Sequence, residues 1–186
     1  MALSSKRLAE KLLHIGRAGC SGARSDALTS AQWAALRFVA AANRHTASPG
    51  GFARFHGVTK GTASQTVRSL VGKGLVESER LDQDGRARTL RLTPAGARLL
   101  EDDPMAALAC AVQRLEPKDR ERLQQSLDQL GAHLNAVRSD RIAFGVCASC
   151  RHRADTHEGP RCTVYDEPIE ADDLEAFCEA FDPLIE

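Results

Sequence analysis

Apolar residues near the start of the chain recur at the spacing of amphipathic α-helices. Leu8, Leu12 and Ile15 predict a first helix over residues 6–18 with a single apolar face. A second helix begins after Thr29, because the sequence Thr-Ser-Ala-Gln has the form of a capping box at a helix N-terminus. The apolar face of this second helix is formed by Trp33, Leu36 and Val39. Both helices are therefore predicted to bury one side and expose the other.

Two shorter helices are predicted in close succession. Ser48 supplies an N-cap and the proline after it suits the first helical position, and the helix ends at Gly57. Thr59 can cap another helix over residues 60–72. The predicted buried face of that helix is Val67, Leu70 and Val71. Two short helices joined by a brief turn containing glycine form a helix-turn-helix pattern.

A β-hairpin is predicted directly after the helix-turn-helix. Residues 75–80 and 87–93 have the composition of strands, and the second alternates between apolar and polar positions. The Asp-Gly pair at 84–85 is a strong turn signal between them. A helix-turn-helix followed by such a hairpin is a winged helix-turn-helix, which we assign to residues 25–98.

The region after residue 99 is predicted to be helical. Pro117 begins a long helix whose apolar residues are spaced four, three, four and three apart: Leu123, Leu127, Leu130, Leu134 and Val137. Such a stripe favours helix-on-helix packing, either within the chain or between two copies. Because a DNA-reading domain gains from two-fold symmetry, we favour a homodimer held by residues 1–24 and 99–145.

Charge is balanced over the whole chain but divided between two regions. Residues 147–186 hold three basic and eleven acidic side chains, a net charge of −8. The rest of the chain holds 22 basic and 14 acidic side chains and therefore carries +8. A basic body with an acidic tail is typical of a polyanion-binding domain joined to a segment that does not bind the polyanion. The alternative interpretation is solvated charge on two sets of helical surfaces.

The outer surface of the helix at 60–72 differs from an ordinary solvated helix. It carries cations and short hydrogen-bonding groups in place of Glu/Lys pairs, and these groups suit base edges and phosphates. Arginines on a thin hairpin are suited to the narrow minor groove. The predicted DNA contacts are Lys60, Thr62, Ser64, Gln65 and Arg68 on the helix, and Arg86 and Arg88 on the wing.

Several stretches together resemble one protein family. They are Leu28-Thr-Ser-Ala-Gln-Trp33, Gly61-Thr-Ala-Ser-Gln-Thr-Val67, Lys73-Gly-Leu-Val76, Asp84-Gly-Arg-Ala87 and Leu90-Arg-Leu-Thr-Pro-Ala-Gly96. In this order, residues of about 25–140 resemble the MarR family of bacterial transcription regulators, and the wing motif is the most specific part.

The resemblance implies a triangular homodimer that binds a pseudo-palindromic operator in double-stranded DNA and responds to a small-molecule effector or an oxidant. By matching position, Asp84 would orient the wing and Arg86 would enter the minor groove. The residues that would face the major groove are Thr62, Ser64, Gln65 and Arg68.

Cysteines are concentrated at the end of the chain, in an extension that we assign to residues 146–186. Four of the six cysteines lie there, as Cys147-x2-Cys150, then Cys162 and Cys178. Because the N-terminus has no apolar export segment, we expect a reducing cytosol, where clustered cysteines more often bind metal than form disulfides. Residues 172–181 are predicted to form a short helix that carries Cys178.

Two metal groups fit this cysteine pattern. Zinc sites usually have a second close pair of ligands, which is absent unless His152 or His157 replaces a cysteine; we expect both histidines to be exposed. Iron–sulfur clusters are held by cysteine thiolates and would give a regulator a redox or oxygen signal. We therefore predict an iron–sulfur cluster, 2Fe–2S or 4Fe–4S, with zinc as the alternative and free or disulfide-bonded cysteines as the remaining possibility.

The expected fold is mainly α: a winged helix-turn-helix with a two-stranded β wing, a helical dimerisation region and a small metal-bound C-terminal extension. The expected function is a cytoplasmic transcription regulator whose operator binding is modulated by the cluster, through the helix ending near Asp140. One alternative keeps the regulator but has structural zinc and a small-molecule pocket. Another is an iron–sulfur redox protein whose winged domain binds protein.

An enzyme is not expected, because no nucleophile–base arrangement is apparent. A membrane helix is not expected either, because no apolar run reaches the ~20 residues that it needs.

Overall fold

The computed structural model describes residues 3–20, 28–80, 88–137 and 145–182. Helices dominate up to residue 137, and short strands dominate after residue 145. The helices are α1 (Ser5–Cys20), α2 (Ser30–Ala41), α3 (Pro49–His56), α4 (Lys60–Gly72), α5 (Pro94–Glu101), α6 (Ala106–Gln113) and α7 (Pro117–Val137). The strands are β1 (Val76–Arg80), β2 (Arg88–Leu92), β3 (Gly145–Val146), β4 (Arg153–Thr156), β5 (Gly159–Cys162), β6 (Glu167–Pro168) and β7 (Phe177–Cys178). None of the described helices has both the length and the apolar character needed to cross a bilayer.

Hydroxyl side chains fix the starts of helices α2, α3, α4 and α5. Each hydroxyl accepts a hydrogen bond from the backbone N–H three residues later, which satisfies a donor that the helix itself leaves unpaired. At Thr29 the Gln32 side chain also accepts from the Thr29 N–H at 2.9 Å, completing the predicted capping box. Helix α3 ends at Gly57, whose φ of 62° lies in the left-handed region that favours glycine. The predicted boundaries of the helix-turn-helix are thereby confirmed.

Helices α2–α5 and the hairpin β1–β2 form a winged unit around one apolar core. The two strands are antiparallel, with Val76 opposite Leu92 and Arg80 opposite Arg88. The large residues buried in the core include Trp33, Leu36, Phe38, Phe52, Val67, Leu70, Val76 and Leu90. This arrangement confirms the predicted winged helix-turn-helix, with strand bounds within one residue of those expected.

The buried face of α4 differs from the prediction at one position. Ala63, Val67 and Leu70 are buried, whereas Val71 is 40% exposed. Residues 63, 67 and 70 follow the four-and-three spacing of one helical face, and Val71 lies one residue, about 100°, beyond it. The prediction that Val71 is buried was therefore wrong, and the third buried residue of this face is Ala63.

Helices α1, α6 and α7 leave their apolar faces open in the single chain. On α7 the predicted stripe is 47% exposed at Leu127 and at Leu130, and 53% exposed at Leu134. The other exposed apolar residues of these helices include Leu8, Leu12, Leu13, Ile15 and Val112. An exposed apolar surface of this extent is characteristic of a protein–protein interface.

The extension, residues 145–182, is a small β structure. Strands β4, β5 and β6 form an antiparallel sheet with β5 in the middle, and β3 pairs with β7. The predicted helix over residues 172–181 was wrong: the segment contains a short 3-10 turn, Ala171–Asp173, and strand β7. Phe177 and Cys178 pair with Val146 and Gly145, so a distant backbone segment determines the local conformation.

Candidate functional site

Helix α4 presents a polar surface opposite its buried face. Lys60, Thr62, Gln65 and Arg68 are exposed, and Ser64 is half-buried. The helix contains no acidic residue, so both of its cations are available to an anionic partner without repulsion from carboxylates on the same helix. The five predicted contact residues of α4 are thus brought together on the accessible part of one helix.

Two side chains of α4 are ordered by contacts within the helix. The Thr62 backbone N–H donates to Thr59 Oγ1 at 3.1 Å, and the two threonine hydroxyl oxygens lie 2.9 Å apart. The Arg68 Nε donates to the Ser64 carbonyl oxygen at 3.3 Å. Arg68 therefore lies along the helix surface, where its guanidinium remains exposed to a ligand.

Gln32 is a positioning residue that the sequence interpretation did not identify for this site. Its Nε2 donates to Ser69 Oγ on α4 at 2.8 Å, while its Oε1 completes the cap of α2. One side chain thus joins the start of α2 to the last turn of α4. The capping-box sequence revealed the first role, but only the tertiary packing of α2 on α4 reveals the second.

The base of the wing is held firmly against the rest of the winged unit. The Leu90 N–H donates to the Ala47 carbonyl oxygen at 2.6 Å, and Thr89 Oγ1 donates to the Arg44 carbonyl oxygen at 2.9 Å. Gly96 at the start of α5 is equally constrained, because a Cβ there would lie 2.1 Å from the Leu75 carbonyl oxygen. The close approach of the Leu75 carbonyl oxygen explains the glycine at the end of the Leu-Thr-x-x-Gly segment, residues 92–96.

Of the predicted wing residues, Arg88 lies within the described part of the chain. It is exposed at the first position of β2, opposite Arg80 of β1. Asp84 and Arg86 lie outside the described residues, as does the turn at 84–85.

The four cysteines of the extension line a common cavity. Cys147 lies in a 3-10 turn that ends at Cys150, Cys162 ends β5, and Cys178 lies in β7. Their exposed fractions are 7% for Cys147, 7% for Cys150 and 3% for Cys178, and Cys162 is half-buried. The apolar side chains that pack around this cluster include Tyr165, Ile169, Leu174 and Phe181. All four thiols are free in the structure.

The environment of the Cys147 thiol favours its protonated form when no metal is bound. Burial and, to a smaller extent, the neighbouring Cys178, Cys150 and Cys162 together raise the pKa of the Cys147 thiol to about 11. Metal binding would therefore release protons as thiolates form. The donor set, four thiols in a largely buried apolar pocket, fits either zinc or an iron–sulfur cluster.

All four cysteines line the same cavity. Within the described residues, no three His, Cys, Asp or Glu side chains are already placed to hold a metal ion. The side chain of His157 is 90% exposed, as expected for a loop residue. His152 also lines the cysteine cavity, and its Nε2 lies 3.9 Å from an Asp182 carboxylate oxygen. The sequence predicted an exposed His152, but only 33% of its side chain is exposed.

Comparison with known proteins supports the winged helix-turn-helix fold of this unit. Residues 28–87 match the MarR family. The Staphylococcus aureus MepR–DNA complex is 20% identical, with a TM-score of 0.56, and the match covers 70% of this chain and 96% of that one. A MarR transcriptional regulator from Methanosarcina mazei Go1 is 18% identical, with a TM-score of 0.55, covering 72% of this chain and 100% of that one. No curated protein sequence matches. At these identities the likeness establishes a shared winged-helix fold.

Proposed function

We propose that the protein is a DNA-binding transcription regulator, on the premise that residues 28–87 match the MarR family and that the described residues form a winged helix-turn-helix. The observation that carries the proposal is the polar, acid-free surface of α4 beside a two-stranded wing. In this arrangement Thr62, Ser64, Gln65 and Arg68 enter the major groove, and Lys60 contacts phosphates. The wing residues Asp84, Arg86 and Arg88 are assigned to the adjacent minor groove.

We infer that the regulator acts as a homodimer on a pseudo-palindromic duplex. The exposed apolar faces of α1, α6 and α7 support this assembly, because two copies could cover them against each other. Two α4 helices related by a two-fold axis would then read two half-sites on the same face of the DNA. A small-molecule effector that alters their separation belongs to the same proposal.

The extension is proposed to hold a metal group through Cys147, Cys150, Cys162 and Cys178. Their shared cavity and low exposure support this assignment. An iron–sulfur cluster would supply a redox-responsive centre, whereas zinc would supply only a structural cross-link. We favour the cluster, because a redox-responsive centre would give a regulator a signal that structural zinc would not.

DNA binding is tested by the mobility of a duplex selected from a random pool, measured at several salt concentrations. The protein is expected to shift the selected duplex, with an affinity that falls steeply as salt rises. Arg68→Ala should weaken binding and reduce the salt slope by about one. Lys118→Ala, which removes an exposed charge from α7, is the matched control and should keep both values. Failure to shift any duplex would favour a redox protein whose winged unit binds protein.

Metal binding is tested on protein purified without oxygen, by absorbance and by iron, sulfide and zinc analysis. A cluster would absorb broadly near ~400 nm with matched iron and sulfide. A colourless protein with zinc would identify the alternative. Cys150→Ala should lower the metal content, whereas Cys110→Ala, which removes an exposed cysteine of α6, should leave it unchanged.

A further inference from the structure

The loop between α2 and α3, residues 43–47, is bonded by its backbone to the cysteine extension. The Asn43 N–H donates to the Phe177 carbonyl oxygen at 2.9 Å, and the Glu179 N–H donates to Thr46 Oγ1 at 2.9 Å. Phe177 and Glu179 flank Cys178 in sequence, so both neighbours of a proposed metal ligand bond to this loop. Asn43 and Thr46 are 6% and 0% exposed, which makes these bonds part of the interior.

Side chains of the loop make further contacts with the extension. The His45 ring stacks on Tyr165, with centroids 3.8 Å apart and planes 6° from parallel. His45 Nε2 also lies 3.0 Å from a Glu167 carboxylate oxygen, and Arg44 forms an ion pair with the same carboxylate. Arg44 and His45 of the loop therefore both contact the segment that follows Cys162.

Helix α3 joins this interface through its last turn. Arg54 forms an ion pair with Glu179, and the Phe55 ring lies 5.2 Å from the ring of Phe177. Phe55 in turn lies 5.4 Å from Phe38, a buried residue of the winged core. The first helix of the helix-turn-helix is therefore in contact with the segment that contains Cys178.

The opposite side of the loop holds the wing. The bonds from Leu90 to Ala47 and from Thr89 to Arg44 attach strand β2 to the same five residues. Ser48, the next residue, caps α3. One short loop therefore contacts the cysteine extension on one side and positions both the wing and α3 on the other.

We propose that the loop 43–47 is the coupling element through which ligation of the four cysteines alters the position of the wing and of α3 within one protomer. Binding of a metal group fixes Cys178, and through Phe177 and Glu179 it fixes the loop. This inference rests on the proposed metal site and, for its consequence at DNA, on the proposed regulator. It differs from the relay first expected through the helix ending near Asp140, a residue outside the described ranges.

Amide hydrogen exchange on the full-length protein tests the coupling without DNA. Cys150→Ser removes one proposed ligand. Cys150 does not line the separate cavity that lies beside Asn43, Arg44 and His45, whereas the other three cysteines do. Exchange at the amides of Asn43 and Leu90 is expected to accelerate by about fivefold or more, the effect of weakening one ordinary hydrogen bond. Cys110→Ser is the matched control and should exchange as the wild type does. Unchanged exchange at both amides would overturn the proposal, whatever occurs in the extension.

A second variant breaks the interface and keeps every cysteine. Glu167→Gln removes the carboxylate that Arg44 and His45 share, and Asp155→Asn, which breaks an exposed pair with Arg153 inside the extension, is its control. Metal content should match the wild type in both variants. Exchange at Leu90 should respond less to metal removal by a chelator in Glu167→Gln than in Asp155→Asn. An equal response in the two variants would contradict the proposed route.

DNA affinity with and without the metal separates the two proposals. In the wild type, metal removal is expected to change affinity by roughly 5–150-fold, the usual range for coupled sites. In Glu167→Gln that ratio should move toward one, and retention of the full ratio would overturn the coupling. If no variant binds any duplex, the proposed regulator is wrong, but the exchange experiments still decide whether the loop couples the two regions.

Discussion

The winged unit and the cysteine extension are stabilised in different ways. The winged unit buries large apolar side chains from four helices and a hairpin, among them Leu36, Phe38 and Leu70. The buried cluster of the extension consists of Cys147, Ile169 and Cys178, with a few half-buried neighbours. A segment this small buries too little apolar surface to be stable alone, and such segments usually depend on a metal or a disulfide. The winged unit therefore has an apolar core large enough to stabilise it, whereas the extension needs a further interaction, such as a metal site, to be stable.

If the proposed metal group is bound, its removal should have the largest effect, concentrated in the extension and reaching the winged unit only at the loop 43–47 and the base of the wing. A chelator is expected to abolish hydrogen-exchange protection across β3–β7, since metal binding to small domains of this kind contributes about 10–16 kcal/mol in zinc-finger peptides. The amides of α2 and α4 should keep their protection, because their core contains no cysteine. Loss of protection in both regions at once would show that they form a single cooperative unit.

A core truncation should have the next largest effect, in the other region. Phe38 is 2% exposed and packs against Phe52 and Phe55, so Phe38→Ala should cost about 3–5 kcal/mol in the free energy of unfolding. Urea denaturation followed by the fluorescence of Trp33 reports on this unit. Ile169→Ala in the extension is the counterpart, and it should leave the Trp33 transition nearly unchanged. Equal shifts in the two variants would erase the distinction between the regions.

The smallest effect concerns an ion pair that joins α2 to the end of α5. Arg37 donates two hydrogen bonds to Asp103, at 2.7 and 2.6 Å, and both side chains are largely buried. Asp103→Asn should cost about 1.5–3 kcal/mol, the usual contribution of a charge-assisted hydrogen bond. Denaturation midpoints measured at neutral pH would reveal the loss, and Asp119→Asn, in an exposed pair with Arg122, provides the control.

The same pair predicts a pH dependence. Partial burial acts to raise the pKa of Asp103, but the hydrogen bonds from Arg37 and from the Met105 N–H outweigh it and hold the pKa below its ordinary value. A depressed pKa stabilises the fold above the unfolded value of about 3.9, and the stabilisation disappears as the pH falls through the folded value. The difference between wild type and Asp103→Asn should therefore shrink below about pH 4. A constant difference down to pH 2 would contradict this assignment.

The parts of the fold that the sequence predicted well depend on short-range chemistry. The hydroxyl caps at Thr29, Ser48 and Thr59 act within three residues, and Gly57 ends a helix through its own backbone angle. The residues proposed to contact DNA on α4 were predictable for the same reason, since their exposure follows from helical spacing.

Where the prediction was wrong, a distant contact outweighed a local pattern. Residues 172–181 have an acidic, helix-like composition, but Phe177 and Cys178 pair with β3 and Phe177 also accepts a hydrogen bond from Asn43. Val71 is apolar, yet it lies outside the face that α2 and β1 cover. Neither outcome has a signal within the few neighbouring residues of the chain.

The sequence by itself determined the helix-turn-helix, the strands of the wing, the apolar stripe of α7 and the grouping of four cysteines. The tertiary structure alone decided that the cysteine extension rests on residues 43–47, beside the base of the wing, and that Gln32 ties α2 to α4. The physical reason is range: caps, turns and helical faces are set by interactions over a few residues. The contact of Glu179 with Thr46, in contrast, joins residues 133 positions apart, and its formation depends on how the whole chain packs.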